Sequence, residues 1–140
     1  MFLCLDPGSK YLGYTLINDF QIVKRGVIHT LKQDPVFELS GLLNEYPRIS
    51  TVLIEKGEND LRSYEAMLLE TFRQKNLMLL LFNAKEVRKK LRLERHPSSL
   101  GIVAKKEIVS KFFPSFSLTD AAIHELDSIL LYIYFHKVSG

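Results

Sequence analysis

A single cysteine stands among the 140 residues. One thiol cannot build an intrachain disulfide framework or a cysteine-based zinc site. Cys4 lies in the apolar run Phe2-Leu3-Cys4-Leu5, which suits a buried structural thiol better than a nucleophile. Long apolar runs are missing too: none approaches the ~20 residues that cross a bilayer, and a membrane protein is excluded. No basic stretch precedes an apolar core at the N-terminus, where Asp6 interrupts the first run, so no targeting segment is expected. There are no internal repeats and no low-complexity tracts. With cysteine so scarce, a reducing, cytoplasmic setting is the expectation.

What is present is the composition of one globular domain spanning residues 1–140, with 46% apolar and 25% charged residues. The net charge of +3 is unevenly placed. Between Lys85 and Lys111, nine basic residues stand against three acids, giving +6, so the remainder carries −3. A basic block on a mildly acidic domain is a candidate phosphate-contacting surface, although a solvated helix face would read the same way.

The pattern along the chain predicts strands over 2–6, 11–17 and 21–29, with a hairpin turn at Asn18-Asp19. Asp34 and Pro35 open a helix whose apolar residues recur at helical spacing and which Pro47 ends. Thr51-Val52-Leu53-Ile54 is a continuous apolar run, the mark of a central strand covered on both faces. Asn59 or Asp60 caps a helix reaching about Lys75, with Leu61, Tyr64, Met67, Leu68 and Phe72 facing inward. Leu77 to Phe82 is a further strand, and Lys85 to Leu91 a short basic helix or turn. Residues 93–101, with Pro97 and Gly101, read as a flexible stretch. Helices follow from Ile102 to Phe113 and, capped by Thr119 or Asp120, to about Lys137. The expected fold is α/β: a five-stranded mixed sheet, three antiparallel strands then parallel βαβ units, flanked by helices.

Two acids directly follow apolar strands, Asp6 and Glu55, where functional groups gather in open α/β sheets. Asp127 lies in an apolar helix, where a carboxylate is costly unless paired or bound to a cation, and His124 shares its face at i−3. Three acids and a histidine suit divalent metal, which takes oxygen ligands and activates water against a phosphate.

These residues resemble a known family. Leu5-Asp6-Pro7-Gly8-Ser9-Lys10-Tyr11-Leu12-Gly13-Tyr14 resembles the D-P-G-[ST]-x-x-x-G-[YF] opening of RuvC-type Holliday junction resolvases. Val52-Leu53-Ile54-Glu55 resembles their second acidic strand end, and His124-Glu125-Leu126-Asp127 their closing D-x-x-D helix with His in first place. The resemblance implies an RNase H-like fold, a homodimer, and Mg²⁺-dependent (or Mn²⁺-dependent) incision of four-way DNA junctions at two symmetric sites. It makes Asp6, Glu55, His124 and Asp127 metal ligands; His124 is alternatively the group that orients or deprotonates water, since imidazole suits magnesium poorly. Arg88 and Lys106 match the family's basic positions, Lys106 as a catalytic lysine with Lys105 the neighbouring candidate. DNA binding falls to Arg88, Lys89, Lys90, Lys105 and Lys106. The family's Gly-rich loop is reduced here to Gly101, and no aromatic precedes Tyr64 after Glu55. Two other functions remain open: a YqgF-type RNA-processing nuclease, and a non-catalytic module that binds branched DNA.

Overall fold

The computed structural model describes residues 1–56, 63–93, 98–115 and 123–139. Strands β1 (Phe2–Pro7), β2 (Tyr11–Asn18) and β3 (Gln21–His29) form an antiparallel meander. β4 (Thr51–Lys56) pairs in parallel with β1, and β5 (Met78–Asn83) in parallel with β4. The sheet order is β3-β2-β1-β4-β5, the mixed sheet expected from the sequence.

Alternation along the central strands sorts the core into two layers. Leu3, Leu5, Val52 and Ile54 point to one face, where α1 (Pro35–Glu45) and α2 (Ser63–Gln74) bring Leu39, Leu42, Leu68 and Phe72. Cys4 and Leu53 point to the other face, under α3 (Ala84–Lys90), α4 (Ser98–Phe112) and α5 (Ile123–Ser139). A strand buried on both faces needs apolar residues at every position, which is why β4 reads as an unbroken apolar run. Cys4 is fully buried, and burial pushes its thiol pKa up, as befits a structural residue. Among the described residues, no helix is long and apolar enough to cross a membrane.

Asp34 caps α1, its side chain accepting from the Val36 N–H at 3.0 Å, with Pro35 at the first helical position as expected. Elsewhere the structure shifts the expectations. The hairpin turn is Asp19-Phe20, not Asn18-Asp19, because Asn18 still pairs with Gln21. Both turn residues have positive φ, 50° and 60°. Phe20 holds this conformation because its ring sits 5.1 Å from that of Tyr132 and 4.7 Å from that of His136, and its N–H donates to the Tyr132 hydroxyl. Helix α4 starts at Ser98 rather than Ile102, so half of the stretch expected to be flexible is helical. Met67, expected inward on α2, is exposed, and Glu65 is buried in its place. The inward positions are 65, 68, 69 and 72, a phase that a sequence period alone leaves free by one residue. The expected caps Asn59, Asp60, Thr119 and Asp120 lie outside the described residues.

Candidate active site

The register of the two parallel strands creates the site. Leu5 lies opposite Ile54, and both face the α1/α2 layer. The next residue on each strand, Asp6 and Glu55, therefore turns to the other face at the same level, below the first turn of α5. α5 reaches that level because β2 carries a glycine there: Gly13 pairs with Asp6, and a Cβ on it would lie 2.2 Å from the His124 carbonyl oxygen. Any other residue would push the first turn of α5 off the sheet, and His124 and Asp127 with it.

Two polar pairs, one part-buried and one fully buried, fasten the same turn. Glu125 accepts an ion-paired hydrogen bond from Arg25 of β3. The Ser128 hydroxyl donates to the Glu125 carbonyl at 2.7 Å and lies 2.5 Å from the Thr15 hydroxyl of β2. The β1–β2 turn is held as well. The Tyr64 hydroxyl of α2 donates to the Gly8 carbonyl at 2.5 Å, and the Thr30 hydroxyl donates to the Ser9 carbonyl at 2.8 Å. Tyr64 thus faces the turn behind Asp6.

Within this frame, His124 Nδ1 lies 3.3 Å from an Asp6 carboxylate oxygen. The Lys105 ammonium lies 2.6 Å from Asp127 Oδ1, with the lysine side chain only 11% exposed. The electrostatics show how tightly the acids are gathered. Burial, the hydrogen bond to Asp6 and the charges of Asp6 and Asp127 push the Glu55 carboxyl up to about 9. Asp127 is also raised, chiefly by burial and then by Asp6, against the opposing pull of Lys105. His124 is raised by its hydrogen bond to Asp6, which outweighs burial. Three carboxylates that cannot all ionise without added positive charge are a suitable donor set for a divalent cation, with His124 as a nitrogen donor. As the side chains stand, no group of three or more His, Cys, Asp or Glu among the described residues is placed to hold an ion. The chain's own side chains take up two of the acids, the Lys105 ammonium on Asp127 and the His124 ring on Asp6.

The structure therefore brings together Asp6, Glu55, His124 and Asp127, and adds Lys105. Lys106 is the next residue on α4, about 100° round the helix, and forms no ion pair among the described residues. Arg88, Lys89 and Lys90 are exposed on α3. The sequence reading missed Gly13 as the contact point for α5, although it stands in the quoted opening motif. It also missed Tyr11, whose ring lies 5.7 Å from that of His124 and 4.9 Å from that of His29. Arg25–Glu125 and Thr15–Ser128 carry no local signal, since each joins residues more than ninety positions apart.

No protein-family model matches the chain, and no curated protein does. Solved structures do match. Thermus thermophilus RuvC in complex with a Holliday junction substrate aligns at TM-score 0.65 with 13% identity, covering 98% of this chain and 94% of that one. The fowlpox virus Holliday junction resolvase aligns at TM-score 0.62 with 11% identity, covering 99% of both chains. A complex of the fowlpox enzyme with its Holliday junction DNA aligns at TM-score 0.61 with 12% identity. With its five-stranded mixed sheet and its flanking helices, the chain has the RNase H-like fold of the RuvC-type Holliday junction resolvases.

Proposed function

We propose that the protein is a structure-selective DNA endonuclease that resolves four-way junctions by Mg²⁺-dependent phosphodiester hydrolysis, acting as a cytoplasmic homodimer. The observation that carries this is the convergence of Asp6, Glu55, His124, Asp127 and Lys105 at the carboxyl ends of β1 and β4 in a resolvase fold. Asp6, Glu55 and Asp127 would hold the metal through oxygen, with His124 beside them; Mn²⁺ would serve in place of Mg²⁺. When bound, the ion supplies Lewis acidity at the phosphate and lowers the pKa of water.

The side chains have distinct tasks. Glu55, protonated while the acids are crowded without a cation, gives up its proton as positive charge enters. Asp6 orients the His124 ring through Nδ1 and raises its basicity, so His124 takes the proton of the attacking water at Nε2. Lys105, released from Asp127, stabilises the charge that grows on the phosphate oxygens. Lys106, Arg88, Lys89 and Lys90 hold flanking phosphates. β5 is an edge strand with Met78 and Leu81 exposed, one on each face of the sheet, and this open edge supports pairing with a second copy.

The test is a synthetic mobile four-way junction with Mg²⁺. Paired nicks are expected, EDTA should stop them, and Asp6→Asn should abolish cutting while leaving binding intact. An uncut junction beside an active control enzyme would sink the assignment. One observation favours a second reading, a silent junction-binding module: among the described residues no group of three or more His, Cys, Asp or Glu is placed to hold a metal as the side chains stand. Calorimetric titration with Mg²⁺ and Mn²⁺ separates the two, since the silent module would bind neither.

A further inference from the structure

A groove of about 920 Å³ runs between α3, α4 and α5, lined by Lys89, Lys90, Arg92, Lys111, Tyr134 and Lys137. Five cations face one acid, Glu86. None of the five forms an ion pair among the described residues. At the catalytic cluster, by contrast, Lys105 is held by Asp127. Positive side chains left without a carboxylate, on three helices around an aromatic, are arranged for an extended anion rather than for a single phosphate.

Arg92 provides the second observation. Helix α3 ends in a two-bond capping motif: the Leu93 N–H donates to the Arg88 carbonyl at 2.8 Å, and the Arg92 N–H to the Lys89 carbonyl at 3.1 Å. The motif places Arg92 at φ 60°. Helix α2 ends in the same way, with Leu77 donating to Phe72 and Asn76 to Arg73, and there the left-handed residue is Asn76 at φ 56°. Asparagine and glycine suit that position; arginine does not. A long cationic side chain held in a disfavoured backbone conformation points to a use for the side chain.

We infer that this groove seats the sugar–phosphate backbone of a duplex arm away from the cleaved bond, with Arg92 as its fixed contact. The inference rests on the junction-cutting function proposed above. From Asp127 to Lys137 is ten residues of helix, about 15 Å. At 3.4 Å of duplex axis per nucleotide, the groove meets phosphates about four base pairs from the cleaved one. It thereby gives the enzyme a footprint on the arm, separate from its grip on the reacting phosphate.

The experiment pairs a protein variant with a backbone change in the DNA. Arg92→Gly and Lys137→Gln are compared with wild type on two junctions, one unmodified, the other with neutral methylphosphonates at the third to sixth linkages from the cleaved bond, each side of it tested separately. Wild type should bind the modified junction about tenfold more weakly on one side. Arg92→Gly should bind the unmodified junction about tenfold more weakly, lose less than wild type does on passing to the modified one, and show a salt slope reduced by about one. Its melting temperature should be unchanged or higher, since glycine suits the position, and its cleavage rate at saturating protein should match wild type. Lys137→Gln should behave in the same way. Wild-type affinity for unmodified DNA in both variants overturns the inference, and so does an equal further loss on modified DNA. Failure of wild type to bind any junction overturns the junction-cutting function and the inference together, whereas binding that ignores both substitutions overturns the inference alone.

Discussion

The two faces of the sheet are built from different materials. Under α1 and α2 the buried side chains are almost all aliphatic, closed by Phe72, with Glu65 the buried charged exception. Under α3, α4 and α5 the core carries Cys4, Phe113 and Tyr132, two polar pairs, and at its upper rim the clustered acids. Both layers hang on the same strands, alternate residues of which serve one or the other. One face supplies stability through area removed from water. The other gives up some of that uniformity to hold charge in fixed places.

The largest contrast should appear when each face is damaged in turn. Asp6→Asn should lower single-turnover cutting by at least about 10³-fold with the urea midpoint nearly unmoved. Phe72→Ala should lower stability by about 3–5 kcal/mol, while the folded fraction still cuts. If Phe72→Ala lost cutting in proportion to Asp6→Asn, the division between the faces would fail. Gly13→Ala joins the two effects, since its Cβ collides with the backbone of α5. It should cost about 1–3 kcal/mol and roughly 10²-fold in cutting, read from the same two assays.

Glu55 makes the charged face sensitive to pH. Its carboxyl pKa is raised from 4.5 to about 9 in the folded chain, so the native state binds the proton more tightly than the unfolded one. That stabilisation is complete below pH 4.5 and lost as pH climbs through 9. Metal-free protein should therefore lose stability steadily across this range. Glu55→Gln should flatten the profile, and Mg²⁺ should restore wild-type stability at the alkaline end; urea midpoints taken at several pH values check both. The smallest effect belongs to Tyr64→Phe, which removes the hydroxyl bond to the Gly8 carbonyl. It should cost about 1 kcal/mol and slow cutting a few-fold, by loosening the turn behind Asp6.

The sequence showed the strands and the acids at their ends because both follow from short-range pattern. A buried parallel strand must be apolar throughout, so the polar residue that ends it stands out, as Glu55 does after Ile54. The helical pair His124 and Asp127 was visible for the same reason, through spacing on one face. Lys105 was not separable from Lys106, because a helix whose axial rotation is unknown presents either one. The partnership of Arg25 with Glu125 joins chain segments a hundred residues apart, and nothing near either residue marks it. The turn at Asp19-Phe20 defied its residue types because distant aromatics hold Phe20 in place. Arg92 was counted among the basic residues of the block, yet its backbone conformation, the feature that sets it apart, appears only with the capping bonds.

The pairing of Leu5 with Ile54 has a consequence for how this chain can change over evolutionary time. A side chain on a strand has two addresses, and one residue inserted or deleted within β4 exchanges them for the rest of the strand. Such an event would leave composition, charge and helix content almost untouched. It would also send Glu55 into the oily layer beneath α2 and bring Ile54 up among the acids. The number of residues along β4 is thus under as much constraint as the identity of the acid near its end.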